Sequence, residues 1–495
     1  MTASPPRPPG AGTKTEPAAG AGPVPGTGSE AAAAAAPPPP PERPAGRRWD
    51  LVAAGCAALL VTVTAVVGRA INDDGILHVR WPPLIATWEP HYGPGTPAAF
   101  AVAAAVVAYG PPLADRLPWR RLLPAAWVAG MAWIWSLALV DGWRDGTAGR
   151  LVKKNEYAVP ETVDRFDDLG HAVRTFTDHI LMQAPDNWPA HIAGHPPGAI
   201  LTFVGLDRVG LGGGAWGAVF CITLGASAAV AALVALRALG GEERARRAAP
   251  FLVLAPWAIW AGVSADAYFA AVAAWGLALL ALAVTRTARR PAVAAAGAGL
   301  VLVWALYLSY GLALLVLPVA AVLWCAARRG RAGRSAVLRA VPWAVLGALP
   351  VVVAFTAAGF WWYEGYDLLH TRYYQGWGGE RPYAYWIWGN LALAAVSAGP
   401  AAVAGVRRAL RTAWSERRRA VSTYAVAAMA VAGLACIVAA DLSGLSKAET
   451  ERIWLPFTLW LLPAAALLPD RDHRAWLTAQ ATVALAVNHL LHTSW

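Results

Sequence analysis

Apolar runs about as long as a bilayer is thick recur along nearly the whole chain, separated by short polar stretches. A helix needs roughly 20 apolar residues to cross about 30 Å of hydrocarbon, and an apolar medium admits backbone only where its hydrogen bonds are satisfied within the segment. The pattern predicts about thirteen spanning helices, near 51–68, 98–114, 122–141, 215–236, 248–264, 267–286, 291–307, 310–327, 337–358, 385–406, 421–440, 453–469 and 474–491. The expected fold class is an all-α polytopic membrane helix bundle. Residues 1–46 break the pattern: they are a Pro, Ala and Gly run without periodicity, expected to be a disordered cytoplasmic tail and not a secretory signal. The membrane domain is then 47–495.

Arginine orients the spans. Arg116, Arg120 and Arg121, then Arg237, Arg244, Arg246 and Arg247, then Arg286, Arg289 and Arg290 all fall in connections on one side. So do Arg328, Arg329, Arg331 and Arg334, then Arg407, Arg408, Arg411 and Arg417 to Arg419, and finally Arg471 and Arg474. By the positive-inside rule that side is cytoplasmic, and the N-terminus lies there too. The opposite side carries the longer connections 69–97, 142–214, 359–384 and 441–452, with His78, His91, His171, His179, His191, His195 and His370 among them. Functional chemistry is therefore expected on the outer face of a multi-pass cell-membrane protein. Residues 198–210 are apolar enough to resemble a span, but spanning there would expose the GGEERARR cluster, so they are read as an interfacial helix.

Composition supports this reading. Of 495 residues, 57% are hydrophobic and 14% charged, too apolar for a soluble surface. The net charge of +11 is spread over clusters between spans and forms no single basic face, which excludes nucleic acid as the partner. Cys56, Cys221, Cys325 and Cys436 all lie within apolar stretches and offer neither disulfides nor a thiolate site. Four lysines against many arginines, with abundant Ala and Gly, hint at a GC-rich bacterial genome.

Charges beside apolar spans are the candidate chemistry, because they are costly there unless paired or functional. Asp141 ends the third span, in SLALVDGWRDG; Asp73 and Asp74 follow the first, in RAINDDG. For Asp141 a water-facing helix end followed by a glycine turn is the alternative. His191 and His195 in PAHIAGHPPG have a metal-ligand spacing, but the glycine and prolines speak against a regular helix, and HPPG reads better as an elbow that aims His195. Glu449, Glu451 and Arg452 immediately precede an apolar run, where the Arg fork suits a phosphate and a structural salt bridge is the alternative. Asp266 lies in the turn VSADAYF, as a cavity residue or a turn former. The aromatic stretch 360–388 adds Glu364, Asp367, His370, Arg372 and Arg381 and suits either a sugar or prenyl chain or an interfacial anchor. No phosphate loop, zinc-protease signature or nucleophile elbow appears, which argues against cytoplasmic nucleotide chemistry.

In their order, Asp141, the 142–214 loop, HPPG at 195–198 and the span AWGAVFCITLGASAAVAALVALRALGG resemble the GT-C-type membrane glycosyltransferases. The nearest branch is the one containing protein O-mannosyltransferases and the aminoarabinose transferases of lipid A. The resemblance implies a GT-C-like core over 122–495, preceded by an extra helix pair over 51–121, with a long outer loop carrying interfacial helices. Members of that family commonly place the acid after the first span and often pair it, whereas Asp141 follows the third and precedes Gly142, so Asp73 and Asp74 stay as alternative acids. The implied activity is transfer of a sugar from a polyprenyl-phosphate donor to an extracytoplasmic acceptor, with membrane lipids around the site. Asp141 would be general base, His195 would orient a substrate, and Arg452 would stabilise the leaving phosphate, with Glu449, Glu451, Asp266 and Arg372 as further substrate-binding candidates. No metal ligand set is assigned, and a divalent cation stays open as cofactor. A lipid-carrier flippase or other transporter is the rival reading; it predicts internal repeats and broken midplane helices, and no repeat is evident. A surface-polysaccharide polymerase or ligase would place its large loop late in the chain.

Overall fold

The computed structural model describes residues 44–415 and 421–493. Most of the expected tail, residues 1–43, and the arginines at 417–419 lie outside the described residues. The chain is an all-α polytopic membrane bundle. Its long helices are α1 (Pro44–Ile71), α2 (Thr96–Arg116), α3 (Trp119–Ala138), and, after the shorter α4 (Gly198–Arg208), α5 (Gly213–Ala238). They continue with α6 (Glu242–Val253), α7 (Ala265–Val284), α8 (Pro291–Leu308), α9 (Val316–Ala327) and α10 (Arg331–Ala357). The remainder are α11 (Trp362–Gln375), α12 (Tyr383–Ala398), α13 (Pro400–Ser415), α14 (Val421–Leu442) and α15 (His473–Leu490).

Among the described residues nine helices are long and apolar enough to cross a membrane, or up to ten if the bent pair α12 and α13 is one span. This is fewer than the thirteen expected. Proline accounts for part of the difference: the chain around Pro256 turns between α6 and a single helical turn at Ala258–Ala261. Pro456 and Pro463 likewise divide the apolar run expected at 453–469, so that the chain there forms Thr450–Ile453, Leu455–Thr458 and Leu462–Leu467. The α12–α13 pair bends by 105° at Gly399, whose φ of 79° suits glycine. The last helix, α15, carries His473, Arg474, Gln480, Asn488 and His489 among its apolar residues and is not among the apolar spans.

α5, α7, α8 and α10 pack in succession, with α3 on α5, and α7 is the most buried of the spans. Small residues permit the close approach: a Cβ on Gly299 or Gly347 would collide with the carbonyl of Ala344 or Ala296 across the α8–α10 contact. α1 and α2 are peripheral, α1 resting on α12 and α13. Connections assigned to one side by their arginines touch one another: Arg246 donates to Ala114 O and Leu117 O, Arg244 to Ala466 O and Arg329 to Ala238 O. The longer connections gather likewise, Gln375 meeting Met182 and Gln183, and Arg381 donating to Leu77 O and Lys447 O.

The 142–212 connection folds on its own small core. Trp188 stacks with Phe166 and with Phe176, at 5.3 and 5.4 Å, and the Arg165 guanidinium lies over its ring. α4 is a helix, as expected for 198–210, with Ile200, Phe203 and Val204 buried. A two-stranded antiparallel ribbon, not foreseen, pairs β1 (Ala86–Trp88) with β2 (Leu491–Thr493), Ala86 opposite Thr493.

Candidate functional site

Asp141 ends the 3-10 turn Leu139–Asp141 that follows α3, and Gly142 then reverses the chain at φ 79°. Its side chain is 13% exposed and accepts from Arg150 Nη2 at 2.6 Å and from His91 Nε2 at 2.8 Å. The segment carrying His91 reaches it because Gly93 and Gly95 lie against the carbonyls of Val140 and Ser136, where a Cβ would collide. His91 Nδ1 faces Glu89 O at 2.6 Å, and Arg150 Nη1 donates to Thr493 O at 3.0 Å. The terminal strand β2 thus helps hold the guanidinium that holds Asp141. Burial pulls the Arg150 guanidinium below its ordinary range despite the Asp141 charge.

From Arg150 the chain runs in tight turns, Lys153 N to Arg150 O and Glu156 N to Lys153 O. Glu156 is buried and pairs with His191 Nδ1 at 2.9 Å. Burial alone would raise this carboxyl, but the charges of His191 and Arg452 outweigh it and hold it below the ordinary value; the His191 ring is correspondingly raised against its own burial. Tyr157, stacked on Phe203 at 5.4 Å, hydrogen-bonds His195 Nδ1 at 2.8 Å, and that nitrogen lies 2.7 Å from His191 O. A carbonyl accepts only, so Nδ1 carries the proton and Nε2 is the ring's acceptor. Burial lowers His195 to about 4, which makes it a neutral imidazole at physiological pH. Pro196 and Pro197 set this elbow, and Gly198 lets α4 start directly against Tyr307, where a Cβ would strike the backbone.

Arg452 lies in the short helix Thr450–Ile453 and is 6% exposed. It donates to Asp266 Oδ2 at 2.6 Å and to Glu449 Oε2 at 2.8 Å. Asp266 sits in the first turn of α7, where the helix dipole favours a carboxylate. Ala448 and Glu449 both have left-handed backbone, φ 73° and 63°, a strained turn that folds Glu449 back over Arg452. Burial would lower the Arg452 guanidinium, but Asp266 and Glu449 raise it above its ordinary range. Glu451, one position away, is 1% exposed, and its carboxylate oxygens have no partner beyond their own residue among the described residues. Burial, with the Glu449 charge adding to it, pushes this carboxyl up to about 8.

The structure therefore gathers Asp266, Glu449, Arg452 and His195 with Glu156 and His191, whose charges act on one another. Asp141 heads a neighbouring cluster, joined to the first through Arg150, Lys153 and Glu156. Arg372 is half-buried on α11 and pairs with none of these groups; Asp73 and Asp74 are exposed in the turn after α1. Arg150, Glu156 and Tyr157 were missed in the sequence, and His91 was noted only among the histidines of the longer connections, without its pairing to Asp141. No periodicity marks them: KKNEYAV reads as ordinary loop, and His91 is 50 positions from Asp141. Among the described residues no group of three or more His, Cys, Asp or Glu side chains is arranged to hold a metal ion.

No family model matches the chain, and no curated protein matches it in sequence. Among solved structures it is similar to the Archaeoglobus fulgidus oligosaccharyltransferase in complex with Zn and sulfate, at 12% identity and a TM-score of 0.40. The match covers 75% of this chain and 53% of that one, so the chain spans about half the length of that structure. At this identity and overlap the likeness assigns no activity.

Proposed function

We propose that the protein is a membrane glycosyltransferase that moves a sugar from a polyprenyl-phosphate donor to an acceptor hydroxyl at the outer membrane boundary. The observation that carries this reading is the convergence of acids, arginine and histidine from the 142–212 connection, the start of α7 and the 441–454 connection into one charged cluster beside the spans. Burying such groups in an apolar bundle is expensive, and their retention speaks for chemistry on a charged substrate.

The acceptor oxygen attacks the anomeric carbon while the bond from that carbon to the phosphate oxygen breaks, the electron pair leaving with the phosphate. Asp141 takes the acceptor proton as general base. His195 Nε2, an acceptor on a neutral ring, orients a sugar hydroxyl. Arg452, with Lys153 at the exposed middle of the Arg150–Glu156 turns, offsets the charge that grows on the phosphate. Attack and departure occur on opposite faces of the sugar in a displacement with inversion.

The test is transfer in membranes from a panel of radiolabelled polyprenyl-phosphate hexoses and pentoses. Wild-type protein is expected to release polyprenyl phosphate and label an acceptor, and Asp141→Asn to lose at least about a hundredfold in rate, the scale of one general base. Full activity in Asp141→Asn removes that residue from the mechanism. Movement of labelled lipid across vesicles with no product from any donor would replace transfer by translocation.

A further inference from the structure

A groove of about 240 Å³ opens between the C-terminal end of α7, the start of α8 and the first half of α10, at the opposite end of α7 from Asp266. Its walls are Ala283, Pro291, Ala292, Ala336 and Ala340, with Trp343, and Arg286 and Arg339 line it. Both arginines are exposed, and neither guanidinium has a hydrogen-bond or ion-pair partner among the described residues. Between Asp266 and Glu364 the sequence carries arginine repeatedly and no acid at all. Nothing within those elements neutralises the pair.

The local backbone is also unusual. Arg286 closes α7 with φ 57°, in the left-handed region where helix ends ordinarily take glycine. A side chain is thus kept at the groove against backbone preference. From the groove, α10 continues as an exposed apolar stripe on the side of Arg339: Trp343, Leu346 and Val353, four, seven and fourteen positions on, are 47, 54 and 59% exposed.

We propose that this groove binds one anionic phospholipid, its headgroup phosphate between Arg286 and Arg339 and an acyl chain along the apolar stripe of α10. The charge selects the anion, since two arginines without a countercharge complement a lipid of net negative charge and not a zwitterionic one. The stripe selects a lipid over a free phosphate, because the headgroup site is continuous with a surface that only a hydrocarbon chain covers favourably. The arginine fork and the indole match the headgroup level of a bilayer, where Trp is at home and basic side chains meet phosphate.

The test uses the full chain purified in detergent, with phosphatidylglycerol as the probe, phosphatidylcholine and glycerol 3-phosphate as comparisons, and native mass spectrometry as the readout. Wild type is expected to retain one phosphatidylglycerol that phosphatidylcholine does not displace. The variant Arg286→Gly with Arg339→Ala is expected to bind phosphatidylglycerol about 30-fold more weakly, the effect of two interfacial charges. Glycine fits the left-handed turn, so the loss will not come from misfolding. Arg331→Ala with Arg334→Ala removes the same charge from outside the groove and is expected to change binding less than about threefold. Equal losses in the two variants, equal binding of phosphatidylcholine, or full competition by glycerol 3-phosphate at matched concentration would each overturn the proposal.

Discussion

Replacing Arg452 by Gln tests whether Arg452, Asp266 and Glu449 act as one unit. The guanidinium makes charge-assisted bonds of 2.6 and 2.8 Å to carboxylates that are 5% and 21% exposed. Removing it leaves Asp266 buried without a countercharge, and breaking a buried pair costs about 3–5 kcal/mol. The α7 N-terminus returns about 1 kcal/mol to that carboxylate, and Glu449 can rehydrate, so the net loss expected is about 3 kcal/mol. Asp266→Asn alone keeps the bond from Arg452 to Glu449 and forfeits one charged hydrogen bond, about 2 kcal/mol. Were the sites independent, the double variant would lose about 5 kcal/mol. In it no buried charge is stranded at Asp266, so about 3 kcal/mol is expected, a coupling of about 2 kcal/mol. The assay is unfolding of the detergent-purified protein in sodium dodecyl sulfate, followed by circular dichroism on all four proteins. Additivity within about 0.5 kcal/mol would refute the claim that these three side chains form one electrostatic unit.

Other consequences follow from single groups. Glu451, with its carboxyl raised from 4.5 to about 8, binds its proton in the folded state over a range where the unfolded chain has lost it, so stability falls as pH rises through that interval. His195, lowered to about 4 from 6.5, acts oppositely and only below 6.5, where stability is lost as pH falls. Between pH 6.5 and 8 Glu451→Gln should therefore flatten a slope of about 1.4 kcal/mol per pH unit, and an unchanged slope would place the buried proton elsewhere. Tyr157→Phe removes the 2.8 Å bond to His195 Nδ1, and a loss of about tenfold in transfer with unchanged donor KM is expected, corresponding to one neutral hydrogen bond; a rise in KM alone would make Tyr157 a binding group. A stop codon after Leu490 deletes β2 and the carbonyl that receives Arg150, and is expected to lower transfer strongly while the helical signal in circular dichroism stays intact. Normal transfer by that truncated chain would detach the C-terminal strand from Asp141.

How much of this was legible in the sequence depends on how far each feature is set by neighbours in the chain. The spans were legible because an apolar run of bilayer length has few alternatives, but α6 and the run around Pro456 and Pro463 were overcounted, since composition over a window does not register where proline removes a helical bond. Asp266, Glu449 and Arg452 stood out because each is a charge against an apolar background. HPPG was readable as an elbow, two fixed φ angles followed by a residue without a side chain. His91 and Arg150 were not readable, because what defines them is convergence in space: they meet Asp141 from 50 and 9 positions away, through a strand pairing between Ala86–Trp88 and the last described residues. Glu156 and Tyr157 sit in a polar loop whose local composition is that of any solvated turn.

The arrangement of these charges bears on why the two clusters are adjacent and not merged. A single cluster containing Asp141, Arg150, Glu156, His191, Asp266, Glu449 and Arg452 would neutralise itself and present nothing to a substrate. Here each acid is matched locally, Asp141 by Arg150 and His91, Glu156 by His191, and Asp266 and Glu449 by Arg452. Lys153 alone among the linking cations is exposed, between the matched sets. An incoming phosphate brings negative charge to a place where the neighbouring carboxylates are already engaged, so it meets the exposed Lys153 before it meets an unscreened acid. That ordering predicts where salt acts: screening over about 8 Å at physiological ionic strength weakens the exposed Lys153 contact first. Donor KM should therefore rise with salt in wild-type protein and become nearly insensitive to it in Lys153→Met. A Lys153→Met protein whose donor KM kept the full wild-type salt dependence would move the phosphate contact away from these turns and onto the buried groups alone.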